Sequence, residues 1–163
     1  AAILIPSAQK IIHFVNLALS HAGKSAWEGA TNQYGKTDFG VMNAFLKVNG
    51  IKMQYVGNGY GNFSENDRRI ILMTYHSAKG LDFDNVFIPF ANNNLYISSD
   101  ESMAKTLFMV AMTRARKNLY ISHYGYPNDY LDAFKSNCSH IDISTSVASQ
   151  STTNNNNNNP WGF

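Results

Sequence analysis

Apolar positions along the chain fall into short runs and helical stripes that alternate. Ala2 to Pro6 is a short apolar run ended by proline, and Ala8 to Ala22 then places Ile11, Ile12, Val15, Leu17 and Leu19 at helical recurrence before Gly23. This predicts a strand followed by a helix. Lys24 to Asp38 is polar, and apolar residues return at Met42, Phe45 and Leu46 until the Asn49-Gly50 stop, which predicts a second helix over 39–48. Ile51 to Val56 alternates as a strand, Gly57 to Asp67 is a Gly/Asn-rich loop, and Arg69 to Thr74 is the mostly apolar run that a buried parallel sheet requires. Further strands are predicted at 85–90 and 119–124. Between them a helix is predicted over 101–116, with Leu107, Val110 and Ala111 on one side. A short final helix is predicted over 127–134, with Pro127 near its start.

Strands alternating with helices predict an α/β fold with a mostly parallel sheet flanked by helices. From Ser144 onward the sequence turns to Ser, Thr and the asparagine run Asn154 to Asn159, which cannot supply a core. The expected organisation is one domain over 1–143 and a disordered tail over 144–163.

A chain of 163 residues with 44% hydrophobic content can bury one sizeable core. Apolar runs such as Ile70 to Met73 and Val86 to Phe90 fall far short of the roughly 20 residues that cross a bilayer. With no secretory leader and a single cysteine, Cys138, the chain reads as cytoplasmic, with no membrane association and no internal disulfide. A formal charge of +2 is well below that of a protein held to nucleic acid by charge alone. The start at Ala1-Ala2, directly before an apolar run, is expected of a fragment whose remaining parts lie upstream.

Two strings imitate a phosphate-binding loop, Ala18 to Ser25 and Ala30 to Thr37, each ending in Gly-Lys and a hydroxyl residue. A working loop leaves a buried strand and opens a helix, so that main-chain N–H groups converge on phosphate. Here Gly23 follows a predicted helix, as a C-terminal glycine does, and Gly35 lies in a polar loop. No strand ending in acidic residues follows to hold magnesium. Both strings are rejected, and with them a phosphate-loop kinase or GTPase; the chain is not expected to hydrolyse ATP alone.

Two segments concentrate the chemistry: TYHSAKGLDF from Thr74 to Phe83 and FMVAMTRAR from Phe108 to Arg116. The first leaves a buried strand and turns at Gly80, and polar groups at the C-terminal end of such a strand face the crevice where open α/β sheets bind ligands. In the second, Arg114 at the end of an apolar helix can project across a domain interface towards a transferring phosphoryl group. Such arginine fingers contribute about 10³ to 10⁵ in rate, roughly 4–7 kcal/mol of barrier. Each residue also has a plainer reading. His76 could be a hydrogen-bonded structural residue, Lys79 a solvated charge, and Arg114 a helix C-terminal cation worth about 0.3–1 kcal/mol. Arg116 and Lys117 are assigned that last part.

In this order, separated by a strand and a helix, the two segments resemble motifs V and VI of UvrD-like superfamily 1 DNA helicases, T-x-H-x-A-K-G-L-E-F and Y-V-x-x-T-R-A. Weaker similarity extends over most of residues 1–136. The resemblance implies a second RecA-like motor domain of three layers. It implies that Thr74 and His76 lie beside single-stranded DNA phosphates, that Lys79 serves the nucleotide or DNA crevice and is placed with the DNA contacts, that Asp82 approaches the ATP ribose with Gly80 in the same nucleotide site, and that Arg114 is the finger. Asp82 is one methylene shorter than the family's glutamate, so a bridging water is expected there. The first RecA-like domain of the same protein is expected to supply the phosphate loop, the Mg²⁺ ligands, the adenine pocket and a further arginine; no metal ligand is expected here. The whole would be an ATP-dependent helicase or translocase moving 3′ to 5′. The family's accessory domain before motif V is expected to be absent, since only the 57–67 loop occupies that place. The alternative from another class is a non-catalytic nucleotide- or protein-binding module derived from a helicase.

Overall fold

The computed structural model describes residues 1–64 and 68–143. The chain runs β1 (Ala2–Ile5), α1 (Ala8–His21), α2 (Phe39–Val48), β2 (Met53–Tyr55), β3 (Ile70–Thr74), β4 (Phe83–Ile88), α3 (Glu101–Met112), β5 (Ala115–Ile121) and a 3₁₀ segment, Asp129–Asn137. The five strands form one sheet in the order β2-β3-β1-β4-β5, parallel at every pairing. Two compact units are distinguished, Ala1–Leu131 and Asp132–Phe163. The sheet, the three α-helices and both motifs belong to the first. In the second, Asp132 pairs with Lys135, and Cys138 is a free, exposed thiol. The tail expected from Ser144 lies outside the described residues. No described helix is long and apolar enough to cross a membrane.

β1 is central, and its four residues are all buried because neighbours cover both faces. Successive side chains of a strand point to opposite faces. Ala2 and Leu4 accordingly enter one core with Met73, Val86, Leu107 and Phe108, while Ile3 and Ile5 enter the other with Ile11, Val15, Met42 and Leu46. Three layers result: α1 and α2 on one side, the sheet, and α3 with the segment after β3 on the other. The helices begin at side-chain caps, Ser7 accepting from Lys10 N, Asp38 from Gly40 and Val41 N, and Asp100 from Met103 N. On the α1/α2 side this covering stops short of β4 and β5, where Phe87 and Tyr120 stack at 4.6 Å and remain exposed.

The edge strand β2 is only three residues long, and α2 shields its outer side. Asn43 Nδ2 donates to Tyr55 O at 2.9 Å and Tyr55 N donates to Asn43 Oδ1 at 2.7 Å, which satisfies the groups an edge leaves open. The chain then makes a tight turn from Gly57 to Tyr60, closed by reciprocal main-chain bonds of 3.0 and 2.9 Å, with positive φ at Asn58 and Gly59. Gly61 ends this turn against the main chain it has just left, and a Cβ there would lie 2.3 Å from Tyr55 O.

Tyr75 is fully buried, its ring edge-to-face with Phe108 at 6.1 Å. Burial pushes its phenol well above the ordinary value, and its oxygen has no hydrogen-bond partner among the described residues. An unsatisfied buried hydroxyl is destabilising. Tyr75→Phe is therefore expected to raise stability by about 1 kcal/mol in urea denaturation, whereas a loss of that size would mean the hydroxyl is bonded.

Two sequence expectations shift. The helix expected to reach Arg116 stops at Met112, and β5 starts at Ala115 instead of Leu119. Thr113 Oγ1 turns back onto Val110 O at 3.1 Å, and Arg114 O accepts from Phe83 N at 2.8 Å, which draws the chain into the sheet. Arg116 and Lys117 are therefore exposed strand residues and not helix-terminal cations; Lys117 Nζ meets Asp84 at 2.7 Å. That bond holds the Asp84 carboxyl below the usual range. The final helix is of 3₁₀ type.

Candidate functional site

The first motif traverses the sheet. Thr74 is the last residue of β3 and Phe83 the first of β4; the strands are parallel, with β1 between them. Residues 75–82 must therefore travel from the C-terminal edge of the sheet back to its N-terminal edge, over the face that α3 also covers. Tyr75, Ala78 and Leu81 anchor this return in the core. Short turns shape it: Ala78 N donates to Thr74 O, Lys79 N to His76 O and Leu81 N to Ala78 O. Gly80 has φ +79 and open space where a Cβ would stand, so the glycine serves the backbone angle.

The expectation that the motif's polar groups gather in one crevice at the C-terminal edge therefore holds for only part of it. Thr74 and His76 lie at that edge, Lys79 is exposed along the traverse, and Gly80 and Asp82 arrive at the N-terminal edge. Arg114, between α3 and β5, is at the N-terminal edge as well.

At the C-terminal edge a hydrogen-bonded chain fixes the loop. Asn58 Nδ2 donates to Tyr55 Oη at 3.2 Å, and Tyr55 hydrogen-bonds the Ser77 side chain. Ser77 Oγ lies 2.9 Å from Thr74 Oγ1, which also accepts from Ser77 N at 3.1 Å. Burial pushes the Tyr55 phenol up, and the bonds to Ser77 and Asn58 pull it back. Thr74 is itself 9% exposed, so its hydroxyl shapes the loop, while the exposed imidazole of His76 faces solvent. Ser77 and Tyr55 are not among the sequence candidates; serine inside the motif string is a signal for the first, and nothing local marks the second.

At the N-terminal edge Arg114 is held closely. Its Nε donates to Val110 O at 3.0 Å, Nη1 to Leu81 O at 3.3 Å, and Nη2 to Thr113 Oγ1 at 3.1 Å. Nη1 also stands 3.2 Å from Asp82 Oδ1. A planar guanidinium gripped in this way is preorganised for an oxyanion, since little rotamer freedom is left to lose. Among the described residues no group of three or more His, Cys, Asp or Glu side chains could hold a metal ion.

The rejected phosphate-loop strings lack the required geometry. Gly23 follows the end of α1, and Gly35 sits in a turn closed by the Thr31–Thr37 bridge. The start of α2 just beyond that turn is capped by the Asp38 carboxylate, which occupies the amides a phosphate would need. A hollow of about 420 Å³ adjoins this turn, but Glu28 lines it and neither Lys24 nor Lys36 does.

The sequence matches the UvrD-like helicase C-terminal domain family over residues 18–126. Over 63 residues it is 41% identical to a probable DNA helicase II homolog of Rickettsia conorii and, equally, to the DNA helicase II of Rickettsia typhi. Those matches cover 33% of this chain and 10% of each relative. The C-terminal domain of a possible DNA helicase from Lactobacillus plantarum WCFS1 aligns in structure over 80% of this chain and 77% of its own, with TM-score 0.41 and 18% identity. The matched family segment takes in both motifs, and the chain belongs to the UvrD-like helicase C-terminal domain family.

Proposed function

We propose that this chain is the second motor half of an ATP-dependent DNA helicase or translocase that moves 3′ to 5′ along single-stranded DNA. The observation that supports this reading is the placement of two polar clusters at opposite edges of one sheet, joined by residues 75–82. Arg114 at the N-terminal edge faces ATP held by the first motor half, where its guanidinium offsets charge on the transferring γ-phosphoryl group. His76 and Lys79, exposed on the loop that Thr74 and Ser77 brace, guide single-stranded DNA along the other end and the traverse. A segment that touches both sites gives a short physical path between nucleotide state and DNA grip. Alone, the chain has the finger without a phosphate cradle and is inactive.

Few cations face the DNA in this reading, so binding by the isolated chain is weak and shallow in salt. Titration of a labelled single strand should give a log-log salt slope no steeper than about −2, from a single-strand slope of about −0.7 per phosphate contacted. Lys79→Ala should flatten it further. Tight binding with a steep slope would place the DNA on another surface.

A further inference from the structure

We propose that Asp82 is a positioning residue for Arg114 and not a ribose ligand, a role that rests on the reading of Arg114 as the finger. A guanidinium has five N–H donors in a rigid fork. Nε donates to Val110 O and Nη1 to Leu81 O, and Nη1 is also ion-paired with Asp82 Oδ1 at 3.2 Å. Nη2 gives one hydrogen to Thr113 Oγ1 and keeps one. The arrangement therefore selects the Nη2 edge as the part that meets a phosphate oxygen. The Thr113 hydroxyl is exposed and can be exchanged for a second one.

Asp82 is suited to set this orientation because its own place is fixed by the sheet. Phe83 N donates to Arg114 O at 2.8 Å, so the residues beside the carboxylate and the guanidinium are stitched together at the start of the β4–β5 ladder. Val110 and Leu81 contribute main-chain carbonyls from two different segments, but Asp82 contributes the charge. Without it, Nη1 loses its only ion-pair partner among the described residues, and the fork can turn about the remaining bonds. The short aspartate side chain fits this role, because its carboxylate already stands within ion-pair distance of Nη1, at 3.2 Å. The Arg114 side chain is 21% exposed and that of Asp82 48%, so solvent screens the pair and the effect is moderate. A fall in turnover of about three- to tenfold is expected from its loss.

The test uses a protein carrying both motor halves and measures kcat and KM for ATP and for 3′-deoxy-ATP at saturating single-stranded DNA. The variants are Asp82→Ala, Asp82→Asn, Arg114→Ala and the double variant Asp82→Ala/Arg114→Ala. If Asp82 positions Arg114, Asp82→Ala lowers kcat about three- to tenfold with KM within about twofold of the parent. Preference for ATP over the deoxynucleotide stays unchanged. Asp82→Asn, which keeps an acceptor oxygen, loses less, and the double variant turns over no more slowly than Arg114→Ala alone. A ribose role gives the opposite pattern: KM rises, discrimination against the deoxynucleotide is lost, and the two substitutions add. That pattern, or an unchanged kcat in Asp82→Ala, overturns the proposal while leaving the finger in place. Near-normal turnover by Arg114→Ala removes the finger itself, and the positioning role with it.

Discussion

Replacing Arg114 by alanine in a protein with both motor halves is expected to lower DNA-stimulated ATP hydrolysis by about 10³- to 10⁵-fold while leaving ATP affinity nearly unchanged. The effect is differential, because a finger acts on charge that develops in the transition state, and its loss therefore appears in kcat more than in ground-state binding. Arg114→Lys should leave a defect of at least about a decade, since lysine keeps the charge but not the planar fork. Lysine also cannot reproduce the simultaneous bonds to Val110 O, Leu81 O and Thr113 Oγ1 that hold the side chain. Arg116→Ala is the matched control: Arg116 is exposed on the edge strand β5, and its loss should leave turnover intact. Steady-state kinetics and nucleotide binding on the same preparations separate these outcomes. Equal defects in Arg114→Ala and Arg116→Ala would point to net charge as the cause.

Gly61→Ala is expected to destabilise the fold by about 3 kcal/mol or more, through left-handed backbone strain of about 1–2 kcal/mol and an additional clash. The residue has φ +68, and an added Cβ would stand 2.3 Å from Tyr55 O, a main-chain atom that cannot move aside. Tyr55 is fully buried, stacks on Phe39 at 4.0 Å and belongs to the α1/α2 core, so yielding there would disturb the whole layer. Gly59 also has positive φ but open space around it, and Gly59→Ala should cost only about 1–2 kcal/mol. Urea denaturation of the two variants compares strain alone with strain plus contact. Equal losses would show that the chain at Gly61 relaxes freely.

The physics that makes parts of this structure readable in advance is local. β1 and β3 are buried on both faces, and such strands appear as unbroken apolar runs. The α1 stripe of Ile11, Val15 and Leu19 follows helical spacing. The two motifs stand out because their residues lie close in sequence. What escapes detection depends on strand order. The helix stripe through Leu107 and Ala111 continues plausibly to Ala115, and only the bond from Phe83 N to Arg114 O shows why the helix ends early. The separation of Thr74 and Asp82 to opposite edges requires knowing that β1 lies between β3 and β4. The contact between Asp82 and Arg114 follows from the pairing of β4 with β5 and has no signature in either motif alone.

On the proposed reading this chain completes an ATPase that it cannot perform alone, and turnover by separated and joined halves tests that claim most directly. ATP hydrolysis would be measured with saturating single-stranded DNA for this chain alone, for the phosphate-loop half alone, and for the two joined in one polypeptide. The expected result is DNA-stimulated turnover only in the joined protein, falling by about 10³-fold or more when Arg114 is alanine. Hydrolysis by this chain alone that disappears on replacing Lys24 or Lys36 would contradict the claim, as would full DNA-stimulated turnover by the phosphate-loop half without it.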